Sequence, residues 1–283
     1  MRDAYIVTSV RTPGCKRAKG ALAHTRPEDL LAFILGAAVK KTAGLKKEAV
    51  EDLMIGCAFP EAEQGLNIGR IVSQMAGFPD AVSGATINRF CASGLEAIAQ
   101  AAMRVMVGWA DVAIGGGVES MSYIPLGGYM PRPHPQWSNE HADLYIAMGI
   151  TAENVARRYG VSREDQDAFA LQSHQRAAEA RRGGQFTEIV PTPAVPYAQN
   201  AQGLGEQETQ VQDFDDGIRE DTTLEGLSKL RPVFAVQGSV TAGNSSQMTD
   251  GAAATVVMSE AMVEKLDLKP IARLRSYTTV GCR

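Results

Sequence analysis

The sequence predicts a layered α/β fold, on three observations. Over residues 1–118 short apolar runs alternate with longer helical patterns, after about Val118 the texture changes to Gly, Pro and aromatic residues, and the alternation resumes after Gly251. In order, Ala4 to Val10 reads as a strand. Pro27 to Thr42 places Leu30, Leu31, Ile34, Leu35, Ala38 and Val39 on one helical face, with Pro27 suited to the first turn. Leu53 to Phe59 reads as a strand, Asn67 to Ala76 as a helix, Ser83 to Asn88 as a strand, Leu95 to Val107 as a helix and Asp111 to Gly115 as a buried strand. Strands separated by helices predict parallel pairing through crossovers.

Beyond Val118, Tyr123-Ile124-Pro125-Leu126-Gly127-Gly128 and Pro131-Arg132-Pro133-His134-Pro135 predict irregular chain. Gly149 to Tyr159 and Arg163 to Arg182 read as helices, the second opened by a Ser162/Asp165 capping signature. A polar stretch with Pro191, Pro193 and Pro196 follows, then a short helix from Thr222 to Leu230. Ala252 to Met258 reads as a buried strand, Glu260 to Leu266 as a helix and Ile271 to Val280 as a strand. The expected organisation is an α/β half at 1–118 completed by 249–272, an inserted α-rich segment at 119–248, and a new βα unit opening at 273–283.

Composition limits the function. With 45% hydrophobic and 21% charged residues in 283, a folded chain is expected, and a net charge of −4 provides no basic patch for nucleic acid. There is no secretory signal pattern, and no run approaches the roughly 18 apolar residues of a membrane span. Cys15, Cys57, Cys91 and Cys282 are too scattered for a disulfide framework or a zinc site. No metal is expected, and a reduced, cytoplasmic compartment fits.

Chemistry points first to Ala85-Thr86-Ile87-Asn88-Arg89-Phe90-Cys91-Ala92-Ser93-Gly94-Leu95, a strand running into a helix with a cysteine at the joint. A thiol at a helix start meets unpaired N–H groups and the positive end of the dipole, both of which favour the thiolate. Small residues after it leave room for a substrate. From the residues alone, a buried cysteine filling a core gap fits as well.

Four motifs in order resolve the choice. Asn88-Arg89-Phe90-Cys91-Ala92-Ser93-Gly94 is similar to the acyl-cysteine motif of thiolases. Gly116-Gly117-Val118-Glu119-Ser120-Met121-Ser122 and Met148-Gly149-Ile150-Thr151-Ala152-Glu153-Asn154 resemble the next two. Thr241-Ala242-Gly243-Asn244-Ser245-Ser246, followed by Asp250-Gly251-Ala252-Ala253, resembles a fourth. The resemblance implies a thiolase-like layered α/β fold and thiolytic cleavage of a 3-ketoacyl-CoA, or the reverse Claisen condensation of acetyl-CoA, through an acyl thioester on Cys91. Its backbone N–H would be one oxyanion donor. Coenzyme A and acyl-CoA enter as substrates, with no permanently bound cofactor.

The resemblance places coenzyme A contacts at Met148, Arg219, Phe234, Ala242 and Ser246. The Arg219 guanidinium suits the nucleotide end, although Asp215, Asp216, Glu220 and Asp221 around it equally suit a solvated arginine. Ser246 also fits a turn, and Met148 and Phe234 fit plain core positions. Ala147 stands where some acetoacetyl-specific relatives carry histidine, which favours a degradative, β-oxidation role on longer chains. His24, His134, His141 and His174 read as surface residues. Homodimers, or tetramers, are implied, with Ser83 to Phe90 near the dimer seam.

The resemblance also implies a second α/β half, on the order of a hundred residues, bearing the Asn-Glu-Ala-Phe, Gly-His-Pro and Cys-x-Gly motifs. These have no counterpart before Arg283, and Cys282 lacks the context to substitute. General acid-base catalysis supplies about 100- to 10,000-fold, so the 283-residue polypeptide is expected to turn over little, and to expose an apolar face. Two rivals are a decarboxylating condensing enzyme of related fold and a non-catalytic fragment that binds coenzyme A.

Overall fold

The computed structural model describes residues 1–195 and 210–281. In chain order these form β1 (Ala4–Arg11), β2 (Cys15–Lys16), α1 (Pro27–Lys41), β3 (Asp52–Gly56), α2 (Ile68–Met75), β4 (Ser83–Ile87), α3 (Ser93–Met106) and β5 (Val112–Glu119). Then come α4 (Pro135–Glu140), α5 (Met148–Tyr159), α6 (Arg163–Arg182), β6 (Thr192–Ala194), β7 (Gln210–Gln212), α7 (Leu224–Ser228), β8 (Thr249–Ser259), α8 (Glu260–Lys265) and β9 (Ala272–Arg273). They fall into two compact units. The first holds residues 1–129, 188–216 and 249–283, and the second 130–187 and 217–248. The segment read as 119–248 is thus divided between the two.

The first unit is a sheet in the order β4-β3-β5-β8-β1-β9, with β2 also pairing with β8. The period of two sorts its side chains between two cores. Leu53, Ile55, Val112, Ile114, Val256 and Met258 face α1 and α2, which contribute Leu30, Leu31, Ile34, Leu35, Ile68 and Val72. Met54, Ala113 and Val257 point the other way, onto Ala97, Ala101, Ala102 and Val105 of α3. Alanine lets α3 lie close to the sheet, and glycine completes the fit. A Cβ on Gly56 would come within 2.4 Å of the Ser93 backbone, and one on Gly115 within 2.5 Å of Ile98 Cα. The start of α3 is therefore seated on the end of β3. Leu95, Met103 and Val107 of the same stretch are exposed.

α1 follows the periodicity, with every predicted apolar position buried, acidic Glu28 and Asp29 in its first turn and Lys40 and Lys41 in its last. α6 opens with the expected capping box, Ser162 and Asp165 each bonding the other's backbone.

Three expectations are corrected. The sheet is mixed: β3 pairs parallel with β4 and β5, but β8 runs antiparallel to both β5 and β1. Residues 120–248 leave and return at one end of the sheet, with Glu119 opposite Gly251, so β5 and β8 must run in opposite directions. Pro135–Glu140 is a helix, because Pro135 sits in the first turn where no N–H is needed and His134 accepts from Trp137 N. Of Ile271–Val280 only Ala272–Arg273 pairs, with β1, and nearly all the rest is exposed without a ladder partner among the described residues.

In the second unit α5 and α6 hold the 231–248 loop by polar contacts, Glu153 of α5 accepting from Ser239 N and Val240 N, and Gln166 and Asp167 of α6 bonding Ser239 and Asn244. No described helix is long and apolar enough to cross a membrane.

Candidate active site

Cys91 is exposed, which removes the reading of it as a core filler. It follows Phe90, a non-glycine residue at φ 45°, a backbone strain costing about 1–3 kcal/mol that persists only where its surroundings enforce it. They do so from both sides. The Phe90 N–H donates to Asn88 Oδ1 at 2.8 Å, and the Phe90 carbonyl accepts from Ser93 N at 2.9 Å and from Ser93 Oγ. Ser93 Oγ in turn accepts from Arg89 N at 2.8 Å. Asn88 is anchored by its Nδ2 donating to the Ala58 carbonyl at 2.9 Å. The product is a tight strand-to-helix turn with Cys91 two residues before α3, facing the positive end of a 14-residue helix. Among the described residues the Cys91 N–H has no acceptor and the thiol no hydrogen-bond partner.

The other cysteines differ. Burial pushes both thiols up to about 12, helped at Cys15 by Asp216 and at Cys57 by Glu119. Cys282 lies outside the described residues. Iodoacetamide near pH 8 is therefore expected to label Cys91 in the folded protein and spare Cys15 and Cys57 until denaturant is added. Peptide mass mapping checks this, and native labelling of Cys57 would contradict it.

The second motif meets Asp250 beside the end of β5. Buried Asp250 accepts from Ser122 N at 2.9 Å, from Ser122 Oγ and from Ser120 Oγ, and Ser122 Oγ accepts from Ala18 N. Burial raises the Asp250 carboxyl above its ordinary range, outweighing the bonds from Ser122, Met121 and Ser120. A carboxyl whose folded value lies above the unfolded one makes the folded state the better proton binder, so its contribution weakens as pH rises through the unfolded value. The stability difference between the parent chain and Asp250→Asn, from urea unfolding, should shrink between about pH 4 and pH 7. A difference that grows over this range would contradict the assignment.

Cys91 belongs to the first unit, while the other five predicted contacts belong to the second. Met148 begins α5 at 59% exposure and Phe234 is 38% exposed, so neither is a plain core residue. The Phe234 ring lies against the first turn of α5, where a Cβ on Gly149 would come within 2.2 Å of it. Ala242 and Ser246 are exposed on one loop, pinned between them by Asn244. Asn244 Oδ1 accepts from Thr241 N at 2.8 Å, and Nδ2 donates to buried Asp167 at 3.0 Å and to the Ser239 carbonyl at 3.1 Å.

Arg219 is exposed, its backbone N–H donating to His174 Nδ1 at 3.2 Å. Its acidic neighbours are mostly engaged elsewhere. Asp215 pairs with Arg11, Asp216 accepts from Lys16 N and Ala21 N, and Glu220 pairs with Arg181 and Arg182. Only Asp221 approaches the guanidinium, at 3.9 Å.

Sequence reading passed over Gln64, Glu119 and Glu153. Glu119 and Glu153 stand inside quoted motifs, which was the available signal. Gln64 had none.

Comparison with known proteins gives the family. The family described as Thiolase, N-terminal domain, matches residues 4–261. A 3-ketoacyl-CoA thiolase of Bacillus subtilis is 46% identical over 282 residues, covering 99% of this chain and 72% of the relative. A 3-ketoacyl-CoA thiolase of Cronobacter sakazakii is 42% identical over 284 residues, covering 100% of this chain and 71% of the relative. Among solved structures, the acetyl-CoA acetyltransferase of Bacillus anthracis superposes with a TM-score of 0.82 at 35% identity, over 96% of this chain and 69% of that one.

Proposed function

Because this chain belongs to the thiolase family, we propose that it is an acyltransferase working through an acyl thioester on Cys91. The substrates are a 3-ketoacyl-CoA and coenzyme A, or acetyl-CoA in the condensing direction. The observation that carries this reading is the exposed thiol of Cys91 at the head of α3, behind a strained Phe90 whose N–H and carbonyl are both held.

In the cleaving direction the Cys91 thiolate adds to the 3-keto carbon, and the carbonyl electron pair moves onto oxygen. The oxyanion collapses and breaks the bond between the second and third carbons. That bond's electron pair leaves as the enolate of acetyl-CoA, which takes up a proton. Coenzyme A thiolate then adds to the Cys91 acyl thioester and expels the cysteine as thiolate, giving an acyl-CoA shortened by two carbons. Both additions develop an oxyanion next to Cys91, and its unengaged N–H is a donor suited to it.

Met148 and Phe234 provide apolar surface for a pantetheine arm, Ser246 a hydroxyl for its amides, Ala242 an unhindered passage and Arg219 a cation for the nucleotide phosphates. No resident cofactor is needed, since no electrons leave the reacting pair. β4 forms one edge of the sheet, in keeping with a homodimer seam along Ser83 to Phe90. Free Cys15, Cys57 and Cys91 suit a reducing compartment such as the cytoplasm.

The test is incubation with a 3-ketoacyl-CoA, an acid quench and peptide mass mapping. An acyl group on the peptide containing Cys91, with acetyl-CoA released and the adduct cleared by added coenzyme A, is expected. An adduct on another residue would overturn the proposal. Acylation coupled to decarboxylation of a malonyl thioester would replace it with the decarboxylating condensing-enzyme reading.

A further inference from the structure

The turn that presents Cys91 rests on two side chains that make no hydrogen bond to Cys91, Gln64 and Glu119. Gln64 is 0% exposed, and every polar atom of its side chain is engaged. Its Nε2 donates to the Phe59 carbonyl at 2.9 Å and to Glu119 Oε1 at 2.8 Å, and lies 3.3 Å from Cys57 Sγ. Its Oε1 accepts from Ser120 N at 2.6 Å. Glu119, the last residue of β5, uses its second oxygen to accept from Ala58 N at 2.7 Å. Gln64 and Glu119 together therefore hold the consecutive residues Ala58 and Phe59.

Those two residues are the ones that reach the strained turn. The Ala58 carbonyl accepts from Asn88 Nδ2, and Asn88 Oδ1 accepts from the N–H of Phe90. The Phe59 ring packs on the Phe90 ring with centroids 5.9 Å apart. One connection is polar and one apolar, and both end on the residue preceding Cys91.

We propose that Gln64 and Glu119 are positioning residues for the nucleophile: together they fix the 58–59 segment so that Asn88 and Phe59 hold Phe90 in its left-handed conformation. The proposal rests on Cys91 as the acyl acceptor, because only then does the placement have a chemical consequence. A displacement of about 1 Å at a reacting centre costs on the order of 100-fold in rate.

The test uses the whole 283-residue chain with Gln64→Leu and Glu119→Ala, read by hydrogen exchange over residues 86–94 and by the rate of acyl adduct formation with acetyl-CoA. In both variants the Phe90 and Ser93 amides are expected to exchange at least about tenfold faster, while amides of β5 at 112–118 stay at the parental rate. Adduct formation is expected to slow by at least about tenfold. Glu119→Gln, which keeps an oxygen for Ala58 N–H, is expected to recover a large part of the loss, as global destabilisation would not allow. Should Glu119→Ala fail to fold, Gln64→Glu carries the same test, since it loses the donors to Phe59 and Glu119 but keeps the acceptor for Ser120.

Exchange over 86–94 within about twofold of the parent in folded variants, or adduct formation at the parental rate, overturns the proposal. If the parent chain takes no acyl group yet 86–94 still loosens, the acyl-acceptor reading fails and the positioning of the turn stands. If the parent is acylated and neither readout moves, the positioning fails and the acyl-acceptor reading stands.

Discussion

Cys91→Ala is expected to abolish acyl transfer to the protein while leaving the fold intact. Cys91→Ser should slow it by on the order of 10³-fold or more, as removal of a nucleophile does elsewhere. Serine keeps the place of the sulfur but brings a hydroxyl that ionises far less readily, and no described residue bonds to this position to draw off its proton. Because Cys91 is exposed and packs in neither core cluster, unfolding free energies of both variants should stay within about 0.5 kcal/mol of the parent. Rapid-quench mass spectrometry with acetyl-CoA, beside urea unfolding, measures the two effects separately. An adduct persisting in Cys91→Ala would move the nucleophile elsewhere.

The second large effect is expected at Glu153, which is 6% exposed on α5. Its Oε1 accepts from Ser239 N at 3.0 Å and Val240 N at 2.9 Å, and its Oε2 from Ser239 N at 3.0 Å and Ser239 Oγ at 3.3 Å. Glu153→Ala leaves these amides without their carboxylate, so a loss of about 2–4 kcal/mol is expected. Burial would push the carboxyl up, but the backbone and side-chain bonds of the 239–240 segment, with Arg157 nearby, bring it below its ordinary range. A depressed folded value gives stability that is full above the unfolded value and is lost as pH falls through the folded one. The destabilisation by Glu153→Gln should therefore be largest near neutrality and fade in acid. The same loop carries Ala242 and Ser246, proposed above as coenzyme A contacts, so weaker coenzyme A binding is expected from that proposal. Urea unfolding across pH and calorimetric titration with coenzyme A check both, and a loss unchanged in acid would contradict the role of the charge.

The locally encoded parts of the molecule were legible in the sequence. α1 is written in the spacing of Leu30, Leu31, Ile34 and Leu35, and α6 in its Ser162/Asp165 cap, because both depend on residues three or four positions apart. Cys91 was legible for the same reason: a strand, a thiol, small residues and a helix follow one another within eleven positions. Exposure of the thiol was not, since nothing adjacent in sequence distinguishes a thiol on a turn from one in a core.

The direction of β8 was decided by where residues 120–248 return to the sheet, which no local period records. The same holds for Ile271 to Val280, whose apolar pattern suits a strand but which finds partners only at Ala272–Arg273. The left-handed Phe90 is held by Asn88 and Ser93 nearby, and contacts Ala58 and Phe59 through Asn88 and its own ring, a pair bonded in turn by Gln64 of the same connection and by Glu119 at the end of β5. The sequence by itself determined most of the longer helices and central strands, the motif around Cys91 and the family, because these are stored in neighbouring residues. Only the tertiary structure decided the strand directions, the strain before Cys91 and the groups that hold it, because hydrogen bonds and packing between residues 30 to 130 positions apart are made only once the chain has closed on itself.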